Sequence, residues 1–427
     1  MESATNVMDQ LKIRASWGQN GNCNISNFYY LSNIAFSPTD YADYGYKFSS
    51  SMDNSINGIY TTGAYAKNQP NEDVTWETSE QLNVGLDARF LSGRLGLTFD
   101  WYKKTTKDWL VQAPTLDVYG YEEAAYINAG DVENKGFEIA LSWNDKIGDD
   151  FNYRINLNMA TNKNEVTKLG TASGKIGDSE SSALFQNSSY ISLVEKGHAI
   201  GYFSGMSYSG IWQNQAQIDA ARAAGKAVLA GAQPGDCIWD DYNGDGSIDL
   251  DNDRHEIGDP NPDVTVGLSL GFDWKGLDFS VSGSGAFGHQ IMQCYRTALL
   301  ANQYQNYTSD VFDRWHGEGT SNSQPRLTVG SINDQWVSNR YMQDADYFKI
   351  QNITLGYDFT KNLWKGSPFG QIRVYVQAQN IYTFTKYTGV DPEIGSNGGT
   401  SNSWAKGIDV GLYPSSRTYL AGVNIKF

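Results

Sequence analysis

Oxygen ligands crowd one short stretch of this sequence. From Asp241 to Asp253 the chain offers Asp241, Asn243, Asp245, Gly246, Ser247, Ile248, Asp249, Asp251, Asn252 and Asp253. Oxygens at alternate positions, with a glycine at the sharp bend, suit calcium, which takes about 6–8 oxygen ligands at about 2.3–2.6 Å. The expected shell is Asp241, Asn243, Asp245, the Ser247 carbonyl and Asp249, with Asp253 completing it. The pattern departs at its end, where Asn252 holds the position of the usual closing acid and Asp253 follows one residue late. A solvated acidic turn would use the same residues.

Little else has the spacing of a reactive centre. The four histidines, His198, His255, His289 and His316, are scattered, and only His255 lies near the acidic stretch. Cys23, Cys237 and Cys294 form no C-x-x-C and no zinc spacing. No nucleophile–base arrangement or paired-carboxylate motif stands out, so an enzyme is not expected. The net charge of -16 argues against nucleic acid, whose phosphates require clustered Lys and Arg. Aromatics crowd the polar stretches, among them Tyr29, Tyr30, Tyr41, Tyr44 and Tyr46, then Tyr304, Trp315, Trp336 and Tyr341. Such rings bind sugars or pack loops together, and packing is the expectation for most of them. No substrate-binding residue can be assigned from them.

The elements that must hold these loops are strands of period two. Leu82, Val84, Leu86, Ala88 and Phe90 alternate with Asn83, Gly85, Asp87 and Arg89. The same alternation runs through Leu95–Tyr102, Phe137–Trp143, Phe151–Met159 and Val264–Trp274. Twelve strands are expected, near 11–20, 75–91, 93–109, 131–146, 151–168, 186–195, 200–212, 263–275, 277–290, 346–361, 369–386 and 415–427. Short turns near Gly93, Gly148 and Gly276 alternate with long connections, including the acidic loop over 236–262. Long alternating strands with short turns on one side and long loops on the other describe a transmembrane antiparallel β-barrel. No run of about 18 apolar residues offers a membrane helix, and a closed barrel is the other structure that satisfies backbone groups in lipid. Asp87, Arg89, Asp100, Glu138 and Arg154 are then expected to face the lumen. Trp101, Tyr102, Trp109, Trp143, Trp274 and Tyr382 are expected in the interfacial girdles.

The last strand carries the sharpest local signal. Tyr419, Ala421, Val423, Ile425 and the terminal Phe427 share one face, as a barrel-closing strand requires. An ordinary amphipathic strand explains the alternation but not its place at the end. The opening MESATNVMDQ holds no basic stretch followed by an apolar run. An exported protein needs such a leader, so the sequence is expected to be incomplete at that end.

Several segments resemble the SusC/RagA family of TonB-dependent outer-membrane transporters, typical of Bacteroidetes. They are EKGHAIGYFSGMSYSGIWQ from Glu195, DYNGDGSIDLDNDRHEIGDPNPD from Asp241, DADYFKIQNITLGYDF from Asp344, AQNIYTFTKYTGVDPEI from Ala378 and YPSSRTYLAGVNIKF from Tyr413. The resemblance covers about residues 75–427 in family order. It implies an all-β barrel of 22 strands, of which this sequence would hold about 12 C-terminal ones, with the plug, TonB box and leader absent. It also implies import of glycans, or less often peptides, across the outer membrane, with a SusD-like surface lipoprotein and TonB as partners. A surface adhesin without transport and a secreted β-rich glycoside hydrolase are the alternatives. The hydrolase would need paired carboxylates in a cleft, and the terminal Phe427 counts against it.

Overall fold

The computed structural model describes residues 7–23, 25, 27–37, 63–112, 117–121, 123–171, 173–177, 190–296, 307–328, 333, 336–393 and 404–427. Ten strands form one antiparallel wall. They are β1 (Met8–Asn22), β2 (Glu77–Phe90), β3 (Leu95–Gln112), β4 (Tyr126–Ile147) and β5 (Phe151–Thr161), then β6 (Val264–Trp274), β7 (Leu277–Phe287), β8 (Tyr347–Asp358), β9 (Gln371–Thr385) and β10 (Thr418–Lys426). Each pairs with its neighbours in chain order, and Lys163–Leu169 prolongs β5 along β4. Among the described residues β10 pairs only with β9, and β1 only with β2.

Side-chain alternation fixes the register. A slip of one residue would exchange every apolar residue for a polar one. Leu11, Ala88, Leu97, Leu141, Leu157 and Leu268 accordingly stand in one row across six strands. Arg14, Gly85, Asp100 and Glu138 stand in a row on the other face. Among the described residues nothing packs against the apolar face as a second layer: Ile13 is 73% exposed and Val376 53%. Leu86, Leu97 and Leu268 are half-buried by neighbours in the sheet itself.

At the short-turn end aromatic rings run along that face. Trp143 Nε1 donates to the Tyr153 hydroxyl at 3.1 Å. Phe272 stacks between Phe151 and Phe279, with centroids 5.5 and 5.4 Å away. Phe369 meets Phe427 at 5.5 Å. Trp101, Trp274 and Tyr382 are exposed on the apolar face as a girdle requires. Tyr102 and Trp109 are not. Tyr102 sits on the polar face, where its hydroxyl donates to the Thr161 carbonyl. Trp109 packs above the wall against a buried cluster, because the ladder shifts register between Thr106 and Trp109.

Two expected wall strands lie elsewhere. Ser192–Glu195 and Tyr202–Gly205 join Lys175–Gly177 and His255–Gly258 in a separate four-stranded sheet. A wall strand gives one face to lipid, whereas Leu193, Val194 and Phe203 are fully buried along with their neighbours Ser192 and Tyr202. Among the described residues the wall therefore has ten strands and passes from β5 to β6 directly. Losing two strands together preserves parity, so all long connections still leave from one end.

Those connections build a cap. The strand β4 has 22 residues, whereas about 9–11 suffice to cross a bilayer. Its first half rises beyond the wall, and Ala129 and Val132 pack there with Val166, Ile176 and Val194. A second cluster joins Ile191, Phe203, Met292, Cys294, Val337, Tyr341 and Ile408. A third joins Met206, Cys237, Trp239 and Trp336. The helix α1 (Gln215–Ala223) begins at Asn214, whose side chain accepts from Gln217 N, and it buries Ile218.

Candidate functional site: a charged bore beneath an ordered cap

The polar face of the wall is concave. One cavity of about 770 Å³ is lined by residues from Lys12 on β1 through Asp87, Thr98, Asn158 and Ser269 to Gln351 on β8. Only a curled sheet brings residues so many strands apart around one space.

Several charges on this face are paired. The Arg14 guanidinium donates to Asp87 Oδ2 and to Asp100 Oδ2, both at 2.8 Å. Arg373 holds Asp278 through two nitrogens, at 2.7 and 2.6 Å. Arg154 meets Asp273 at 3.0 Å. Glycines make room for these side chains to lie flat. A Cβ on Gly85 would come within 2.8 Å of Arg14 Nη2, and one on Gly356 within 2.5 Å of Arg373 Nη2. The result is a smooth polar wall. As sequence reasoning expects, Asp87, Arg89, Asp100, Glu138 and Arg154 all belong to this face.

The acidic loop sits in the cap and is held by its own backbone. Asp241 accepts from the N–H groups of Gly244 and Gly246, both at 2.8 Å. Asp245 accepts from Ser247 N and from the Asn243 amide. Asp249 accepts from Asp251 N and from Asn252, whose hydrogen bonds hold its carboxyl below the usual value. Asp253 is 1% exposed, and its oxygens accept from Tyr242, Asn243 and Asp249 N–H groups. The carboxylates thus turn onto the loop's backbone. Among the described residues no three of Asp, Glu, His and Cys gather closely enough to hold a metal ion. Next to this loop the His255 ring stacks on Tyr242 at 3.8 Å, and its Nε2 meets Ser207 Oγ at 2.9 Å.

Burial tunes several cap groups. The Tyr208 hydroxyl is pushed up to about 12 by desolvation. Burial raises Asp259 and lowers His289. Arg254 is held by the carbonyls of Tyr190 and Ser204, both at 2.6 Å, with the Tyr190 ring beneath it. Of the loop aromatics, Tyr29 packs edge-on to Tyr126 and Trp336 lies against Trp239. Tyr41, Tyr44, Tyr46 and Tyr304 lie outside the described residues.

The final strand places its expected residues on one line. Tyr419, Ala421, Val423 and Ile425 face Ala378, Val376, Val374 and Ile372 of β9, and Phe427 is 97% exposed beside Phe369. Sequence reasoning missed the buried polar contacts between cap and wall. Chief among them is Lys349 with Glu393, which are 44 residues apart and carry no local motif.

Comparison with known proteins adds the relationship. The family model described as TonB dependent receptor-like, beta-barrel, matches residues 4–381. TonB-dependent receptor P3 of Formosa agariphila is 32% identical over 99% of this chain and 40% of its own length. TonB-dependent receptor SusC of Bacteroides thetaiotaomicron is 28% identical over 99% of this chain and 38% of its own length. The chain thus spans about two fifths of the curated relatives it matches. The solved structure of the RagAB peptide transporter superposes with a TM-score of 0.74 at 23% identity, over 99% of this chain and 41% of that one. That likeness establishes a shared fold.

Proposed function

The chain belongs to the family of TonB-dependent receptor-like β-barrels of the outer membrane, and from that premise we propose that its wall lines the import path of a SusC/RagA-type transporter. The cargo would be a glycan or a peptide, presented by a SusD-like surface lipoprotein and moved with energy delivered through TonB. The observation that carries this reading is the continuous polar inner face, with the Arg14, Arg154 and Arg373 pairs laid flat beneath an ordered cap. Flat, neutralised pairs let a polar cargo pass without a deep electrostatic trap. The strand ending in Phe427 would serve as the recognition signal for barrel assembly. The remaining barrel strands and the plug would come from polypeptide beyond this sequence.

The family resemblance and the structural neighbour leave two cargo classes to compare, glycans and peptides. SusC is named among the curated relatives, and the structural neighbour is a peptide transporter. Uptake of fluorescent oligosaccharides and of labelled peptides should be compared in cells that do and do not produce the protein. TonB-dependent accumulation of one class supports the proposal; equal accumulation of both in the two strains contradicts it.

Calcium in the acidic loop belongs to the same proposal, on the oxygen spacing of Asp241, Asn243, Asp245, Ser247 and Asp249. An ion would draw Asp245 and Asp249 away from the N–H groups they now accept. Calorimetry showing identical calcium binding in wild type and Asp245→Ala would refute it.

A further inference from the structure

The segment 386–393, directly after β9, turns inward over the bore. Lys349 marks the place. It stands on the polar face of β8, facing Ser284 of β7 and Thr383 of β9, yet it is only 4% exposed. Glu393 covers it and forms an ion pair with its ammonium. Tyr347, on the same face two residues earlier, also hydrogen-bonds Glu393.

The rest of the segment is anchored differently. Tyr387 is 6% exposed and packs with Ile291 and Ala345 of the cap. Its hydroxyl donates to the buried Asp409 at 2.5 Å. Thr388 donates to Gln343 Oε1 through its N–H and its hydroxyl, at 3.0 and 2.9 Å. Asp391 accepts from Ser415 N at 3.1 Å. One end of the segment is therefore embedded in the apolar cap. The other end meets the wall by charge at Glu393, beside the buried Pro392, whose carbonyl accepts from His289 of the cap.

We propose that residues 386–393 form a strap across the mouth of the bore, hinged at Tyr387 and pinned by Glu393 on Lys349. The physical asymmetry supports this division of labour. Pulling Tyr387 out exposes apolar surface to water, which is unfavourable at any position of the strap. Separating a buried ion pair is nearly balanced when both partners are rehydrated, because the lost attraction is offset by recovered solvation. Lys349 and Glu393 meet on the polar face of the wall, so both would be rehydrated when the strap swings away. Removing one partner alone leaves the other buried and uncompensated, which opens the strap. Replacing both with apolar side chains removes the rehydration that favours release, and the strap stays shut. This inference rests on the bore being a passage, and the test separates the two ideas.

The experiment uses the protein in the outer membranes of producing cells, with Cys23 changed to Ser and a single accessible cysteine at Ser284→Cys on the inner face. The rate of labelling by a membrane-impermeant maleimide reads how open the mouth is. Glu393→Gln should raise that rate by about tenfold or more, while Lys349→Met with Glu393→Met should leave it at or below the starting value. Equal rates in all three proteins would overturn the strap, and an equal rise in both variants would overturn pinning by charge. A second version guards against misfolding. Lys349→Cys with Glu393→Cys, with the reporter moved from position 284 to Ser269→Cys on the same face and its labelling read on its own peptide, should switch that labelling from slow to fast when the oxidised sample is reduced. No difference between the two states would overturn the proposal. Cargo uptake measured on the same oxidised and reduced cells tests the passage separately. A labelling switch without an uptake switch leaves the strap standing and contradicts the import reading.

Discussion

The wall and the cap use similar apolar residues under opposite rules. In the wall Ile13, Val84, Ile155, Val376 and Val423 stand exposed along one face. In the cap Ile191, Phe203, Met206, Ile291 and Met292 are fully enclosed. A soluble sheet would have to cover the wall's apolar face with a second layer. Among the described residues no second layer lies on it, and lipid takes that role. The cap stands in water and must supply its own interior, so it alone has conventional hydrophobic clusters. The lesson is that one chain obeys two solvents, and the boundary falls about halfway along β4.

That contrast predicts where damage spreads. The largest effect is expected for Phe203→Ala, which removes a fully buried ring from the cap at a cost of about 3–5 kcal/mol. Limited proteolysis should cut the cap while the wall keeps its heat-modifiable migration. Loss of both together would show that wall and cap are one cooperative unit. A smaller effect, about 2–4 kcal/mol for a charge placed at the bilayer midplane, is expected for Leu268→Arg. Its neighbour Ser269→Arg points to water and should fold into vesicles nearly as well as wild type; equal losses would erase the distinction between faces.

Asp253→Ala comes next. It strips three backbone N–H groups of their acceptor, a loss of about 1–3 kcal/mol confined to the acidic loop. Faster amide exchange at Tyr242, Asn243 and Asp249, with none in the wall, is the expected readout. His289 sharpens the comparison through pH. Burial lowers it below the usual 6.5, so its contribution to cap stability is present above 6.5 and fades as pH falls through the lowered value. Exchange around residues 288–293 should quicken on acidification, and His289→Asn should remove that dependence. The smallest effect is expected for Arg154→Gln, about 1 kcal/mol or less, since its pair with Asp273 is half-exposed.

The wall was legible in sequence because its period of two is local. Leu82 to Phe90 reveals its faces within nine letters, and the chain-order pairing follows from short turns. The cap was not. ISLV and YFSG read as wall strands in sequence because burial on both faces produces apolar runs that imitate strands of any sheet. Tyr102 falls on the polar face by the strand's own alternation, and Trp109 leaves the girdle because a bulge shifts the register after Thr106. The acidic loop's ligand types were readable, but the direction of each carboxylate depends on which N–H groups lie nearby. Lys349 and Glu393 meet across a turn of chain that no spacing rule describes.

The central claim is that the apolar face meets lipid while the polar face meets water. Single cysteines at Val84, Ile155 and Val376, and at Asp87, Asn158 and Ser282, would be placed in a background free of exposed thiols and probed in outer membranes. A lipid-soluble photoreactive thiol probe and a charged maleimide would be applied in parallel. The first three positions should react with the lipid-phase probe alone and the second three with the charged reagent alone. Reaction of both sets with the charged reagent, at similar rates, would contradict a membrane wall.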